Sequence, residues 1–341
     1  MIKNKKILII GGAGFIGHNL ALKLKSLKAN LLIVDGLAVN NIDSLKNNTN
    51  NLPHPKLSMK ILKERINLIK KNKIPLKKVD ARNYHDLSKV FNKFKPQVVI
   101  NLAAVSHANR SNKDPHSTFD HSLRTLENSL DNSRGTVEHF IFLSSSMVYG
   151  NFKKKIVNES EECEPLGIYA ALKYSGETII KAYNQVFNLP YTIVRPSALY
   201  GERCISRRVG QIFIENSLNK KKINIEGDGK EKLDFTYIQD LVGGIVEIIK
   251  NKKSLNNTFN LTFGNAQPIN KLIEILKKDF PNLKVEYSKR DKLMPKRGTL
   301  SNSKAKKLLN YKSKWPLNKG YKKYINWYKK IFEKNQFNND N

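Results

Sequence analysis

Residues 7–17 read ILIIGGAGFIG, an apolar run followed by glycines at positions 11, 14 and 17. The apolar run predicts a buried strand, and the glycines predict a tight turn that opens a helix. Glycine at these places lets backbone N–H groups and the positive end of the helix approach a pyrophosphate. The stretch therefore predicts a strand–turn–helix unit that binds a dinucleotide, with an ordinary turn as the alternative.

The second apolar run, residues 31–34, ends in Asp35, 18 positions after Gly17. In dinucleotide-binding units an acidic residue at this place accepts hydrogen bonds from a ribose diol. Its carboxylate would also repel a 2′-phosphate, so Asp35 favours NAD over NADP. In the alternative interpretation Asp35 is only a solvated residue at a strand end. That interpretation explains less well why an acidic residue follows the glycines at this distance.

Short apolar runs alternate with amphipathic stretches through the first 190 or so residues, which is typical of βαβ units on a parallel sheet. Strands are predicted at residues 7–10, 31–34, 98–101, 140–144 and 191–194, with helices that begin near residues 14, 60, 84, 116 and 169. Further helices are predicted at residues 209–218, 241–250, 269–278 and 320–333. The predicted fold class is α/β with a doubly wound parallel sheet. No chemistry is assigned to the Lys- and Asn-rich connection at residues 45–73.

The 341 residues include 61 Lys and Arg against 29 Asp and Glu, a formal net charge of +32. Because 40% of the residues are hydrophobic, the chain can bury a core, and global disorder is excluded. A balance this basic could indicate a nucleic-acid or membrane partner. The basic residues are mostly scattered lysines, whereas phosphate and base recognition favours the arginine fork. We therefore expect a solvated basic surface, with neither nucleic acid nor membrane as a partner.

The two cysteines, Cys163 and Cys204, are too few for a disulfide framework and lack a metal-binding spacing, so no metal site is predicted. The apolar run near the N-terminus is too short for a signal peptide core or a membrane span. These features predict a cytoplasmic protein.

Two later segments carry groups that could move a proton. Tyr169 and Lys173, at positions i and i+4, would share one face of a helix. A free phenol titrates near ~10 and acts as a base at neutral pH only where a nearby cation favours the phenolate. Ser144-Ser145-Ser146 follows an apolar run, so a hydroxyl would lie at the carboxyl edge of the sheet. Separately these residues could be an exposed helix pair and a turn serine, but together they suit proton removal from a sugar alcohol.

These segments, in this order, resemble the extended short-chain dehydrogenases, in the branch of NAD-dependent nucleotide-sugar epimerases and dehydratases. The resemblance covers nearly the whole chain. The other motifs that carry it are Asp80, Asn101-Leu102-Ala103-Ala104, Asp114-Pro115, Val148-Tyr149-Gly150, Arg195-Pro196, Tyr200-Gly201, Gly227-Asp228-Gly229, Asp234-Phe235, Asp240-Leu241 and Arg297-Gly298.

The resemblance implies NAD as the cofactor. In the family, residues of these motifs cradle the pyrophosphate, bind the adenosine ribose, flank the adenine and line the cofactor cleft. The cofactor-binding residues implied here are Gly11, Gly14, Phe15, Ile16, Gly17, Asp35, Asp80, Ala81, Leu102, Ala103, Ala104, Tyr169 and Lys173.

The resemblance also implies the catalytic residues and the domains. Tyr169 would be the base, Lys173 would hold the nicotinamide ribose and favour the phenolate, and Ser145 would hydrogen-bond the reacting oxygen. Residues 1–195 would form a Rossmann-type NAD-binding domain. Residues 196–341 would form a smaller α/β domain that binds a nucleoside-diphosphate sugar, although residues 234–262 would pack back onto the first domain. A homodimer formed by the helices near residues 116–130 and 169–187 is implied as well.

One departure from the family pattern concerns the reaction. Dehydratases of this branch carry an Asp-Glu pair after the catalytic hydroxyl, and decarboxylases carry a Glu just before Val-Tyr-Gly. Ser146 and Met147 occupy those places here. Without an acid to protonate a leaving hydroxyl, 4,6-dehydration is disfavoured, and epimerisation or simple redox chemistry is favoured.

Three other departures concern binding. His121 stands where an Asn usually helps to hold NAD, Ala198 where an Asn often meets the substrate phosphate, and Leu233 where an Arg commonly pairs with the diphosphate. Loss of that guanidinium matters because its bidentate fork is a strong phosphate anchor. Arg297 matches a second phosphate-binding Arg of the family.

Arg203, Arg207 and Lys232 are the candidates to replace the missing guanidinium. In the alternative interpretation, Arg203, Arg207 and Arg208 are surface residues of a loop. The predicted substrate-binding residues are Ser145, Arg203 and Arg297.

The predicted activity is NAD-dependent epimerisation of a nucleoside-diphosphate hexose at C4. Tyr169 would take the C4 hydroxyl proton while hydride passes to NAD, and after the 4-keto sugar turns, hydride would return to its other face. The alternatives are a C4-reductase or dehydrogenase and a C3 or C5 epimerase, with a 4,6-dehydratase or decarboxylase less favoured. A different class is a non-catalytic NAD-binding protein whose basic surface binds RNA or a partner.

Overall fold

A parallel sheet of seven strands lies at the centre of the molecule. The structure is a computed structural model, and it describes residues 2–46, 54–105, 108–290 and 294–336. The strands are β1 (Lys6–Ile10), β2 (Asn30–Asp35), β3 (Leu76–Lys78), β4 (Val98–Asn101), β5 (His139–Leu143), β6 (Ile156–Val157), β7 (Tyr191–Arg195), β8 (Leu199–Tyr200), β9 (Ile223–Glu226), β10 (Lys232–Leu233), β11 (Thr236–Tyr237), β12 (Asn257–Asn260), β13 (Gln267–Pro268), β14 (Val285–Ser288) and β15 (Thr299–Leu300). The helices are α1 (Phe15–Ser26), α2 (Ile42–Lys46), α3 (Pro55–Lys71), α4 (Tyr84–Phe94), α5 (Ala108–Lys113), α6 (Pro115–Phe119), α7 (Thr125–Asp131), α8 (Gly167–Phe187), α9 (Val209–Leu218), α10 (Ile238–Lys250), α11 (Asn270–Lys277), α12 (Ser303–Leu309) and α13 (Leu317–Gln336).

The central sheet has the strand order β12-β7-β5-β4-β1-β2-β3, and every neighbouring pair is parallel. From β1 the chain moves outward through β2 and β3, and then returns to the other side of β1 through β4, β5 and β7. This is the doubly wound order predicted from the sequence. Because the winding reverses between β1 and β4, a crevice opens at the carboxyl ends of these two strands, where ligands bind in such sheets.

The buried side chains of β1 explain why helices cover both faces of the sheet. Ile7 and Ile9 pack into one core with residues of α1, α3 and α10, whereas Leu8 and Ile10 pack into a second core with residues of α4, α7 and α8. Alternate residues of a strand point to opposite faces. An apolar run without polar alternation therefore specifies a strand that is buried on both sides.

The five predicted strands are confirmed, and two edge strands, β3 and β12, complete the sheet. Both are short and rich in polar residues, so they carry no apolar run. β12 pairs with β7, and α10 contributes Ile245 to the same core as Ile9. After β7 the chain therefore passes through β8 to β11 and then returns to the central sheet as β12.

Several helices differ from their predicted bounds. The helix predicted near residue 60 spans Pro55–Lys71, and the closing helix spans Leu317–Gln336. The helix expected near residue 116 consists of α6, a π-helical turn at Asp120–Arg124, and α7. In the part of the chain that the structure describes, no helix combines the length and the apolar character needed to cross a bilayer.

Candidate active site

A cavity of about 160 Å³ opens beside the loop between β1 and α1, and we call it the glycine-loop cavity. Its walls come from that loop, from the ends of β2 and β4, and from the segment after β3. The predicted cofactor residues that line it are Gly11, Gly14, Phe15, Ile16, Gly17, Asp35, Asp80, Ala81, Leu102, Ala103 and Ala104. The topology therefore brings residues from four separate parts of the chain to one crevice.

Close packing explains two of the glycines. Gly11 has φ +78°, and a Cβ there would lie 2.8 Å from the backbone nitrogen of Ala103. A Cβ on Gly17 would lie 2.5 Å from the Cα of Gly12. Only glycine lets the turn fold this tightly against β4 and α1. The resulting loop leaves backbone groups and the start of α1 open to an anion.

Asp35 ends β2 and is held by the glycine-rich loop itself. Its carboxylate accepts hydrogen bonds from the backbone N–H of Ala13 at 2.9 Å and of Leu37 at 2.8 Å. Burial raises the pKa of the Asp35 carboxyl, although these two hydrogen bonds oppose the shift. The carboxylate is thereby fixed at the cavity wall, where a ribose diol could donate to it.

Asp80, which lines this cavity, belongs to a charged cluster. The Arg82 guanidinium pairs with Asp80 and also with Asp120, at 2.8 Å, and it lowers the pKa of the Asp80 carboxyl. His121, at the family position usually held by Asn, lies in the π-helical turn and lines the cavity. π-Helical turns often occur at functional sites.

Arg65 of α3, within the stretch 45–73 to which the sequence analysis assigns no chemistry, also lines the glycine-loop cavity. Its side chain is buried, and its Nε donates to the Arg203 carbonyl at 2.9 Å. Burial lowers the pKa of Arg65 to about 10. The sequence offered no signal for this role, because one arginine among many lysines on an amphipathic helix resembles a surface residue.

A second cavity, of about 450 Å³, adjoins the first, and we call it the tyrosine cavity. Ser145, Tyr169 and Lys173 all line it. The two cavities share the wall residues Ile16, Leu102, Ala104, Leu199 and Arg208. The predicted proton-relay set is therefore brought together beside the predicted cofactor site.

Lys173 is buried beneath the tyrosine cavity. Its ammonium donates to the Leu143 carbonyl at 2.6 Å and lies 4.8 Å from the centre of the Phe142 ring. Burial lowers the pKa of Lys173 to about 8, although Glu177 opposes the shift. Ser145 lies at the end of β5, where its hydroxyl accepts a hydrogen bond from the Met147 N–H at 3.2 Å.

Glu177, on the same helix as Tyr169 and Lys173, joins that helix to two strand ends. Its carboxylate accepts Arg195 Nε at 2.9 Å and Arg195 Nη2 at 2.6 Å, and it accepts the Ser144 hydroxyl as well. All three side chains are buried. The network ties α8 to the ends of β5 and β7, and sequence reasoning did not identify it. Its only signal was a carboxylate one helical turn after Lys173.

Cationic residues line the tyrosine cavity at the end formed by α9 and the segment before β15. They are Arg207, Arg208, Lys232 and Arg297, and they lie in the same cavity as Ala198 and Leu233. Burial, followed by the nearby charge of Arg208, lowers the pKa of Arg297 to about 10. The Nη2 of Arg297 contacts the Met147 sulfur.

Arg203 does not line this cavity, which corrects its predicted role in substrate binding. Its Nε donates to His18 Nε2 at 2.9 Å, and its Nη1 pairs with Glu64 at 3.2 Å. Arg207, the next candidate, pairs with Glu215 at 2.8 Å. These contacts hold both guanidinium groups against the protein, and spacing along the sequence did not predict them.

Comparisons with known proteins identify the family of this chain. Residues 7–262 match the model of the NAD dependent epimerase/dehydratase family. Protein CapI of Staphylococcus aureus is 34% identical over 257 residues, which cover 75% of this chain and 72% of CapI. The dTDP-D-glucose 4,6-dehydratase of Dictyostelium discoideum is 30% identical over 279 residues, which cover 75% of this chain and 58% of that protein.

Among solved structures, UDP-glucuronic acid 4-epimerase from Bacillus cereus, in complex with UDP-glucuronic acid and NAD, superimposes with a TM-score of 0.84 at 26% identity. The similarity covers 96% of this chain and 99% of that one. With the family model matched over most of its length, this chain belongs to the NAD dependent epimerase/dehydratase family.

Proposed function

We propose that this protein epimerises a nucleoside-diphosphate hexose at C4. The observation that carries the proposal is the tyrosine cavity, in which Ser145, Tyr169 and Lys173 stand beside the cavity that suits NAD. A hydroxyl, a phenol and an ammonium in one cavity are the groups needed to take a proton from a secondary alcohol and return it.

Each residue of this set has a separate role. Tyr169 accepts the proton of the C4 hydroxyl and returns it to the same oxygen at the end of the reaction. Ser145 donates a hydrogen bond to that oxygen and holds it as the ketone forms. Lys173, one helical turn from Tyr169, would hold the nicotinamide ribose of bound NAD. Bound NAD would supply the hydride acceptor for C4 and would be regenerated in each turnover.

The residues after Ser145 favour epimerisation over dehydration. Ser146 and Met147 line the cavity and offer no carboxylic acid to protonate a leaving hydroxyl. Two carboxylates of the described residues do line it, Glu226 at the end of β9 and Glu231, and Glu231 is ion-paired with Arg290. Similarity to a dTDP-D-glucose 4,6-dehydratase makes the dehydrated sugar the product to look for as a rival.

The experiment is a product panel followed by NMR. Purified protein is incubated with UDP-, GDP-, CDP- and dTDP-hexoses, including UDP-glucuronic acid, with and without added NAD. We expect one nucleotide sugar to give an equilibrium mixture with its C4 epimer. A 4-keto-6-deoxy product would identify a dehydratase, and a stoichiometric oxidised or reduced product would identify a dehydrogenase or reductase.

Tyr169→Phe tests the role of the phenol in the same assay. We expect a loss of at least about 100-fold in kcat, as for removal of a general acid–base group. Tyr174→Phe is the matched control, since Tyr174 lies on the same helix, packs against the apolar cluster that contains Val148, and is not among the residues that line the cavity. Full activity of Tyr169→Phe would refute the assignment.

We further propose that the protein is a homodimer that uses α6, α7 and α8. The large apolar side chains of Phe119, Ile168, Val186 and Phe187 are exposed on or beside these helices. These exposed apolar side chains are the observation that supports the dimer. Light scattering after size exclusion should give twice the chain mass, and Val186→Asp should give the monomer mass. A cytoplasmic location and the lack of a nucleic-acid partner stay predictions.

A further inference from the structure

A groove of about 1020 Å³ lies between α3 and α13, and we call it the lysine groove. Its described lining residues come from α2, α3 and α13, and none of them lines the glycine-loop cavity or the tyrosine cavity. Most of them belong to the Lys- and Asn-rich connection at residues 45–73. The groove therefore lies outside the site of the proposed reaction.

The apolar part of the lysine groove is recessed. Its apolar side chains are buried or half-buried, and they are Leu45, Met59, Leu68, Trp327 and Ile331. The Trp327 ring stacks on Tyr324 with 6.1 Å between the ring centres, and it meets the edge of Tyr328 at 5.0 Å. Both tyrosines are fully buried. These contacts fix the indole, so the groove offers an ordered aromatic surface to an apolar side chain.

A row of lysines follows one face of α3 along the groove. The row consists of Lys56, Lys60, Lys63 and Lys71, whose spacing places them within an arc of about 80° and over a length of about 22 Å. The buried side chains of α3 lie on the other face of the helix, and they are Leu57, Ile61, Leu62, Arg65 and Ile69. Lys330 adds a fifth cation from α13.

This positive charge has little compensation nearby. The exposed lysines of the lining that form no ion pair with a described residue are Lys56, Lys63, Lys71 and Lys330. Glu64 is the one acidic residue in the described lining, and its carboxylate pairs with Arg203 at 3.2 Å. The groove thus combines an apolar floor with a cationic rim, which is complementary to an apolar segment flanked by carboxylates.

The walls of the groove favour a helix over an extended segment. Among the described residues they are helical and include no strand edge, so an extended chain would find no backbone partner there. A helix satisfies its own backbone hydrogen bonds and needs only side-chain contacts. The lysine row, at about 22 Å, matches about four helical turns.

Other occupants suit the groove less well. Insertion into a lipid surface needs apolar side chains that protrude, whereas Leu45 and Ile331 are buried. Nucleic acid would leave the apolar floor facing phosphates, and the described lining has no arginine to form bidentate contacts. A second copy of this chain would bring a net charge of +32 of its own to a positive rim.

We propose that the lysine groove is a docking site for an acidic amphipathic helix of a partner protein. The apolar face of that helix lies against Trp327 and Ile331, and carboxylates on its flanks pair with the lysine row and Lys330. The inference does not depend on the proposed function, because the groove and the two cavities have no described residue in common.

The test is a titration of a fluorescein-labelled synthetic peptide with the NAD-loaded protein, followed by fluorescence anisotropy. The peptide has about 16 residues, with leucines on one helical face and glutamates on its flanks. We expect saturable binding that weakens at least about fivefold between about 50 and about 500 mM salt. A peptide of the same composition, shuffled so that no apolar face forms, should bind at least about tenfold more weakly.

Lys63→Glu combined with Lys330→Glu reverses one charge on each wall of the groove, and we expect binding to weaken at least about tenfold. Lys277→Glu combined with Lys306→Glu is the matched control, since these exposed lysines lie on α11 and α12 outside the groove. The control should change binding by less than about threefold. The thermal midpoint of each variant verifies that it folds.

Equal losses in the two double variants would show an effect of net charge alone and would overturn the proposal. Failure of the amphipathic peptide to bind, or equal binding of the shuffled peptide, would overturn it too. Phosphatidylserine vesicles and a single-stranded RNA are titrated in parallel. If the groove variant loses one of these instead of the peptide, the occupant is a membrane or a nucleic acid and the proposal is wrong. It is also wrong if the peptide binds only a chain that ends at Gln336, because the last residues of the chain would then be the occupant.

Discussion

Lys173 keeps an ammonium group inside the protein, where it has one strong acceptor, the Leu143 carbonyl. A pKa lowered by burial from 10.5 to about 8 means that the folded state holds this proton at a cost of about 3 kcal/mol at neutral pH. The residue that the proposed reaction needs therefore destabilises the protein without its cofactor.

Lys173→Met should consequently stabilise the cofactor-stripped protein at pH 7 by about 1–3 kcal/mol while it abolishes turnover. Urea denaturation of both proteins measures the difference. Between pH 8 and about 10 the unfolded chain still binds the lysine proton and the folded protein does not, so wild type gains stability and the difference shrinks. A variant less stable than wild type at pH 7 would contradict this account.

Glu177 and Arg195 form a buried ion pair behind the catalytic helix. Glu177→Gln would leave the Arg195 charge buried without its counter-charge, which costs about 3–5 kcal/mol. Chemical denaturation checks this value. Ser144→Ala is the control, because it removes one hydrogen bond from Glu177, keeps the ion pair and should cost about 1 kcal/mol. Equal losses in the two variants would show that the ion pair does not matter.

At the residue level, motif spacing pointed to residues whose position depends on the chain immediately around them. Gly11, Asp35 and the pair Tyr169 and Lys173 are examples. It did not identify Arg65 or Glu177, because their partners come from distant parts of the chain. For Arg203 the prediction placed the residue in the correct loop and missed His18, which holds the side chain away from the tyrosine cavity.

Helix α10 contains adjacent glycines in opposite environments. A Cβ on Gly243 would meet no atom within 4 Å, whereas one on Gly244 would lie 2.7 Å from Leu261 Cδ1 and 3.1 Å from Tyr311 Cε2. Gly243→Ala should stabilise the protein by about 0.5–1 kcal/mol, since alanine loses less backbone entropy in a helix. Gly244→Ala should destabilise it by about 1–3 kcal/mol through overpacking.

Thermal and urea unfolding of these two variants measures both effects in one helix, so helix propensity cancels between them. If both substitutions shift stability in the same direction, the described packing of α10 against β12 and its following residues is wrong. The result also tests how tightly this C-terminal segment is joined to the central sheet.

At the level of elements, the sequence predicted the strands that are apolar on both faces and failed at the sheet edges. β3 and β12 are exposed on one side or are rich in polar residues, so their pairing depends on a neighbour already in place. The π-helical turn at Asp120–Arg124 was not predicted either, because one additional residue in a helical turn does not change the amino-acid pattern of the helix.

The stability of the whole molecule should depend on pH through its buried histidines. His139 is the first residue of β5, where its Nε2 contacts the Thr192 hydroxyl at 2.7 Å, and burial lowers its pKa from 6.5 to about 4. Between these values the unfolded chain binds a proton that the folded protein does not, so stability falls as the pH falls below 6.5. The loss from His139 amounts to about 3 kcal/mol at pH 4. His18, whose pKa is also lowered, acts in the same direction.

Urea denaturation between pH 7.5 and 4.5 measures this loss. His139→Gln, which keeps a hydrogen-bonding group for Thr192 and cannot titrate, should show a shallower decline than wild type. A variant with an unchanged pH slope would mean that His139 is protonated in the folded protein.

For the molecule as a whole, the alternation of apolar runs with amphipathic stretches predicted the doubly wound sheet. The order of the motifs predicted the family. Neither specified which groups hold the arginines of the loop before α9, since the partners of Arg203 and Arg207 come from other elements. The net charge of +32 did not identify a ligand either, because most basic residues are solvated lysines and only a few face the two cavities.

The central claim is that the sugar is oxidised and reduced again at C4, with the same hydrogen leaving and returning to that carbon. It is tested most directly by running the reaction in deuterated water on the nucleotide sugar that the panel identifies, with NMR and mass spectrometry of the product. The account predicts the C4 epimer with no carbon-bound deuterium. Deuterium at C3 or C5 would show proton exchange next to a ketone and would contradict it.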